Sequence, residues 1–258
     1  MFAKYSRFIM FGLFAMLSLV ACQQEEPAQE QHAMTEGSMD HTAEVVFVQG
    51  NTETPPLPIV LDATQTEEIG SVYEAYLAPH QEPGEEKDTP SHIPSQFRST
   101  TPSTLREDRL GRGHAWVRFT KDLSRAYIDI DLENINHEEV VMFHIHCGRP
   151  DMLGPIIVDF SLIDDIQANM ADGVYSIEIT NAVIEATAAS GEGVVGSLTM
   201  GCPIPASLAL ELGSIDRVKT IAGMEFIARQ GELYFNLHTS GHVYFGDIRG
   251  QIYRVEGD

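Results

Sequence analysis

The sequence predicts an all-β fold: one β-sandwich domain that carries a long loop insertion and one short helix. Three observations carry this. Residues 113–119 (GHAWVRF) and 126–132 (AYIDIDL) alternate between two faces with the period of two that a half-buried strand requires. Val140 to Cys147 is apolar on both faces until it ends in His144, His146 and Cys147, which suits a strand buried between layers. Hydrophobic residues make up 43% of the 258-residue chain, enough for a single sandwich of roughly 200 residues once a leader and a tether are set aside.

In chain order, Lys4 and Arg7 are the only charges before Cys22. They precede the apolar run Phe8 to Val20, which is shorter than the roughly 20 residues of a membrane-spanning helix. The run ends in Leu19-Val20-Ala21-Cys22, which resembles a bacterial lipobox. That resemblance implies a lipoprotein signal peptide over residues 1–21, cleavage before Cys22, and acylation of the Cys22 sulfur and amine. Several acyl chains on one residue anchor to a bilayer where a single chain does not. Gln23 rather than an aspartate follows, which by the sorting rule of such lipoproteins points to the outer membrane, at its periplasmic face or the cell surface. Residues 22–43 lack an apolar period and are rich in Gln and Glu. They read as the lipidated cysteine and a disordered acidic tether reaching roughly 25 Å. The tether's His32, His41, Met34 and Met39 are too sparse to define a metal site.

The folded domain is expected over residues 44–258. Val45 to Val48 and Pro58 to Leu61 read as strands across a Pro-rich turn, and Ile69 to Leu77 as a strand or a short helix. Residues 78–111 form a polar stretch with five prolines, either a surface insertion or a lid over a site. The alternating runs at 113–119 and 126–132 form a hairpin. After the central strand, Ile156 to Val158, Tyr175 to Ile179 and, more weakly, Val194 to Leu198 read as strands. Ser214 to Ala228 has helical spacing, with Ser214 as its N-cap. Leu233 to Thr239 and Asp247 to Tyr253 close the chain.

The formal net charge of -22 becomes -24 when Lys4 and Arg7 leave with the signal peptide. That field repels phosphate backbones and anionic lipid surfaces, so no nucleic acid partner is expected. Bilayer attachment is instead expected through acylated Cys22, with an envelope protein or glycan as a further partner.

Two stretches carry a family resemblance. His144-Ile145-His146, then Gly148 and Gly154-Pro155, resemble the AHIHxGxxGxxGP core of the CHRD domain, the chordin-type domain. Asn236-Leu237-His238-Thr239 followed by Gly246-Asp247-Ile248-Arg249-Gly250-Gln251 is similar to that family's closing YVNVHT…GEIRGQ signature. Gly113 to Val117 looks like its GxAxF strand. The resemblance spans about residues 45–253 and implies an immunoglobulin-like or Greek-key β-sandwich. The chain departs from the pattern at Cys147 and Asp247 and in longer segments at 78–111 and 161–230.

The histidines set the chemical alternatives. His144 and His146, at i and i+2 on one strand, face the same way, with Cα atoms roughly 7 Å apart. His238 shares its face with Asn236. If the two strands are neighbours, three imidazoles converge, and three histidines can hold zinc or copper with one position open. His242 is a candidate fourth ligand, and Asn236 a candidate hydrogen-bond partner for a ring nitrogen. The alternative is structural: half-buried imidazoles bonded to backbone, with Thr239, Asp247 and Arg249 in the same scaffold and Arg249 paired to a carboxylate. Cys147 points away from the histidines. It is expected to pair with Cys202, the other thiol left after lipidation in an oxidising compartment. No hydrolytic triad or carboxylate pair stands out. Three functions follow: a non-catalytic binding or scaffold module, which the sequence favours; a copper- or zinc-binding protein; and a metal-dependent oxidoreductase.

Overall fold

A computed structural model describes residues 68–191, 196, 199–204 and 216–255. The expected signal peptide and tether, Cys22, both strands expected at 45–48 and 58–61, and most of 194–198 lie outside the described residues. Within them, one antiparallel sheet holds β1 (Ile69–Leu77), β2 (Arg112–Thr120), β3 (Arg125–Glu133), β6 (Val174–Thr180) and β9 (Tyr253–Arg254), ordered β6-β3-β2-β1-β9. The other holds β4 (Val140–Cys147), β5 (Ile156–Asp159), β7 (Leu233–Thr239) and β8 (Ile248–Gln251), ordered β5-β4-β7-β8. The fold is therefore an all-β sandwich.

Strands β2 and β3 form the expected hairpin, with Ala115 opposite Ile130 and Val117 opposite Ile128. Their inward residues are fully buried, as period-two alternation requires. Between the sheets, Phe143 of β4 stacks on Phe160 at 4.6 Å and meets Tyr175 of β6 edge-on at 5.7 Å. Near the start of β4 the register with β7 shifts between Val140 and Met142, the mark of a β-bulge. Val140 lies in the core, whereas Val141 and Met142 are not fully buried, and Phe143 returns to the core.

Among the described residues, three α-helices stand where one was expected: α1 (Ile166–Asn169), α2 (Asn181–Ala189) and α3 (Ile221–Arg229). The expected helix at 214–228 begins later, at α3. Its N-cap is Thr220, whose side chain accepts from the Gly223 N–H at 3.0 Å, rather than Ser214, which lies outside the described residues. Residues 216–219 run into it without helix, and Arg217 bridges Pro203. Cys147 and Cys202 form a disulfide across a sequence separation of 55, with Cα atoms 6.1 Å apart.

The outer face of the β5-β4-β7-β8 sheet positions the histidines. All seven residues of β7 and all four of β8 are buried, so this sheet is covered on both sides. Part of the cover is the 78–111 segment, which contains single helical turns and is stitched to β8 and to the chain before it. Ala78 and Arg249 exchange backbone bonds at 2.9 and 3.3 Å, Thr100 N–H reaches Ser240 O at 2.9 Å, and Arg109 donates to the Gly246 and Asp247 carbonyls at 3.0 and 2.9 Å. These bonds hold the segment against the 240–247 turn and β8.

Candidate metal centre

Strands β4 and β7 are direct neighbours, with Met142 opposite His238, His144 opposite Asn236 and His146 opposite Tyr234. This register brings His144, His146 and His238 together on one face. One ring nitrogen from each lies within 4.8 Å of the other two. The ring centres are 5.3 Å apart for His144–His146 and His144–His238, and 6.3 Å for His146–His238. All three rings are buried, at 4%, 9% and 5% exposure.

Each ring is oriented by a single bond or charge on its far side. His146 Nδ1 is 2.8 Å from the Gly154 carbonyl and His238 Nδ1 is 2.9 Å from the Val243 carbonyl. A carbonyl only accepts, so both rings carry their proton on Nδ1 and hold a lone pair on Nε2. Asp159 Oδ1 lies 3.6 Å from His144 Nε2. The nitrogens left over, His144 Nδ1, His146 Nε2 and His238 Nε2, are buried and have no hydrogen-bond partner.

Burial also sets their charge. It drives His144 well below the ordinary imidazole range, with His146 and His238 adding repulsion. It pushes His146 down to about 3 although the Gly154 carbonyl acts the other way, and His238 down to about 4 against the Val243 carbonyl. At neutral pH all three rings are therefore uncharged.

Gly154 holds its place because a Cβ there would sit 1.6 Å from the Cys147 carbonyl oxygen, and Tyr234 Oη accepts the Gly154 N–H at 2.9 Å. The Tyr234 ring stacks on His146 at 4.9 Å and 5°. Over Tyr234 lies the Arg249 guanidinium, 3.4 Å from the ring centre. Arg249 donates to the Met152 and Arg149 carbonyls, both at 2.8 Å, which fixes the loop that carries Gly154. The expected carboxylate partner of Arg249 is thus corrected to two backbone carbonyls and an aromatic face.

Two further expectations change. His242 stays out of the three-histidine group. Its Nδ1 is 3.1 Å from Thr239 Oγ1 and its Nε2 3.0 Å from the Thr104 carbonyl, so it pins the insertion to the turn after β7. Asn236 does not reach a ring nitrogen either. Its Nδ2 donates to the Phe245 carbonyl at 2.8 Å, and Gly246 (φ +105°) lies so close that a Cβ would come within 2.0 Å of Asn236 Oδ1. Thr239 and Asp247 keep structural roles: Asp247 Oδ1 is 3.6 Å from both Arg109 and His242. Sequence reasoning missed Glu82, which lies buried near Arg249 and Arg109 with neither oxygen hydrogen-bonded; burial raises its carboxyl well above the usual range. Glu82 and Arg109 sit in a stretch without periodicity, so no pattern announces them. Tyr234 was within reach, since it shares the face of Asn236 and His238.

A two-sheet sandwich with a buried triad of imidazoles on its covered face defines a class of β-scaffold able to hold a transition-metal ion. Comparison with family models places the chain more closely: the CHRD domain model matches residues 95–252, so the protein belongs to the CHRD domain family. No curated protein and no solved structure matches it.

Proposed function

We propose that this chain is a lipid-anchored cell-envelope protein whose CHRD domain binds one copper or zinc ion between His144, His146 and His238. The observation that supports the reading is the set of three buried, unpartnered ring nitrogens on converging side chains. A purely structural role would use the bonds on the far side of each ring and leave no reason to aim three lone pairs inward, where an unpaired buried acceptor costs about 1–3 kcal/mol. Backbone carbonyls on Nδ1 are the usual way to fix a metal-binding imidazole's tautomer and direction. The scaffold reading has less support, because it accounts for the carbonyl bonds but not for the inward nitrogens.

Anchoring through acylated Cys22 and delivery to the outer membrane belong to the same proposal, on the strength of the lipobox-like segment. The full chain expressed in a bacterial host is expected in the membrane fraction, and Cys22→Ala in the soluble fraction; equal partitioning of the two would remove the anchor. Metal analysis of untagged protein is expected to find roughly one equivalent of copper or zinc per chain, lost in His144→Ala and in His238→Ala. Protein that takes up neither ion, even after incubation with each, would return the scaffold reading to first place.

A further inference from the structure

We propose that the ion is copper and that Met142 is the residue that selects it, an inference that rests on the three-histidine reading above. Met142 is the residue directly opposite His238 in the β4–β7 register. Side chains so opposed start from Cβ atoms roughly 4.5–5.5 Å apart. Met142 is also two residues from His144, on the histidines' side of the strand. Plain alternation puts Met142, His144 and His146 on one face, with Phe143 and Ile145 on the core side. The β-bulge lies before Met142 and accounts only for Val140, which enters the core three residues before Phe143.

The chemistry of the surroundings decides between the two metals. Zinc centres take imidazole, thiolate or carboxylate. The thiol nearest in sequence, Cys147, is consumed in the disulfide with Cys202. The nearest carboxylate, Asp159, faces the Nε2 side of His144, and its Oδ1 already accepts from Ser161 N and Oγ at 3.0 and 2.6 Å. What the register sets beside His238 and His144 is a thioether, a soft and flexible donor that favours copper, above all Cu(I). Three neutral imidazoles and a neutral thioether also suit a monovalent ion in a buried site, since each unit of uncompensated charge there carries a desolvation cost.

The test uses the full chain, purified without an affinity tag, titrated separately with Cu(I) against a chromophoric chelator and with Zn(II). Met142→Leu, which conserves volume, is expected to weaken Cu(I) binding roughly tenfold or more and to leave Zn(II) binding unchanged. X-ray absorption of the copper-loaded wild type should show a sulfur neighbour that Met142→Leu lacks, which reads the ligand directly if the variant folds poorly. Unchanged Cu(I) affinity in Met142→Leu, or copper bound in the wild type with no sulfur neighbour, overturns this inference and leaves the three-histidine reading intact. Wild-type protein that binds neither ion overturns the three-histidine reading itself.

Discussion

The metal-free protein is expected to lose stability steeply as pH falls from about 6.5 to 4. Three buried imidazoles stay neutral in the folded state well below the ordinary value of 6.5, with His146 at about 3 and His238 at about 4. In the unfolded chain the same rings protonate near 6.5. Their folded pKa values are lowered, so through this window the unfolded state binds more protons and stability rises with pH. Each ring therefore contributes stability that is fully present above pH 6.5 and is lost on acidification until its folded pKa is passed. Glu82 acts oppositely: its folded pKa is raised, so it favours the folded state below its unfolded value of 4.5 and withdraws that help as pH rises. At about 1.4 kcal/mol per proton and pH unit, His146 and His238 give a slope of up to about 3 kcal/mol per pH unit between 4.5 and 6.5, with His144 adding to it and Glu82 opposing it. Against a typical total of 5–15 kcal/mol, the resulting loss of about 6 kcal/mol is a large share of the stability. Urea unfolding of the metal-free protein at half-unit pH steps measures the slope, and His238→Gln should lower it by about one proton. A flat profile over this range would mean the rings meet solvent. Bound metal requires the same neutral rings, so the loaded protein should hold its stability to lower pH.

Much of the frame was legible because strands write themselves as alternation. The β2–β3 hairpin follows from Ala115, Val117 and Phe119 sharing a face, and the burial of β4 from its two apolar sides. The three histidines were legible for the same reason: i and i+2 on one strand fix two rings, and a neighbouring strand with His238 on the matching face supplies the third. Helices fared worse. Asn181 to Ala189 follows directly on β6 and is small and mixed in polarity, so no stripe marks it. Roles that depend on loop carbonyls were not legible. Arg249 and Asn236 find their acceptors in segments 149–152 and 245, and nothing in a residue type reveals which backbone oxygen will lie opposite it. His242 misled for a related reason, because its position just past His238 suggested a ligand, whereas the turn swings it toward Thr104.

Arg249→Met is expected to destabilise the fold by about 3 kcal/mol or more and, as a separate readout, to loosen metal binding. Arg249 is among the largest fully buried side chains, at 1% exposure. Replacing a buried charge with an apolar side chain is often neutral, because the desolvation cost disappears along with the attraction. Two features tip the balance here. Arg249 gives the Met152 and Arg149 carbonyls two hydrogen bonds from a charged donor, each worth about 1.5–3 kcal/mol, and methionine can make neither. The burial of Arg249 is also partly offset already, by the Tyr234 ring at 3.4 Å. Losing that cation would push the Glu82 carboxyl still higher. For a domain of this size the loss corresponds to a Tm lower by about 10 °C, measurable by calorimetry. Arg249→Lys keeps the charge but not the two-pronged geometry, so it should recover only a small part. The effect on metal follows from the loop itself: Arg249 fixes residues 149–152, that loop carries Gly154, and the Gly154 carbonyl aims His146. Weaker metal binding in Arg249→Lys at a temperature where the variant is still folded would separate this positioning from stability. Unchanged Tm and unchanged metal affinity in both variants would show that the loop holds its shape, and His146 its aim, without the guanidinium.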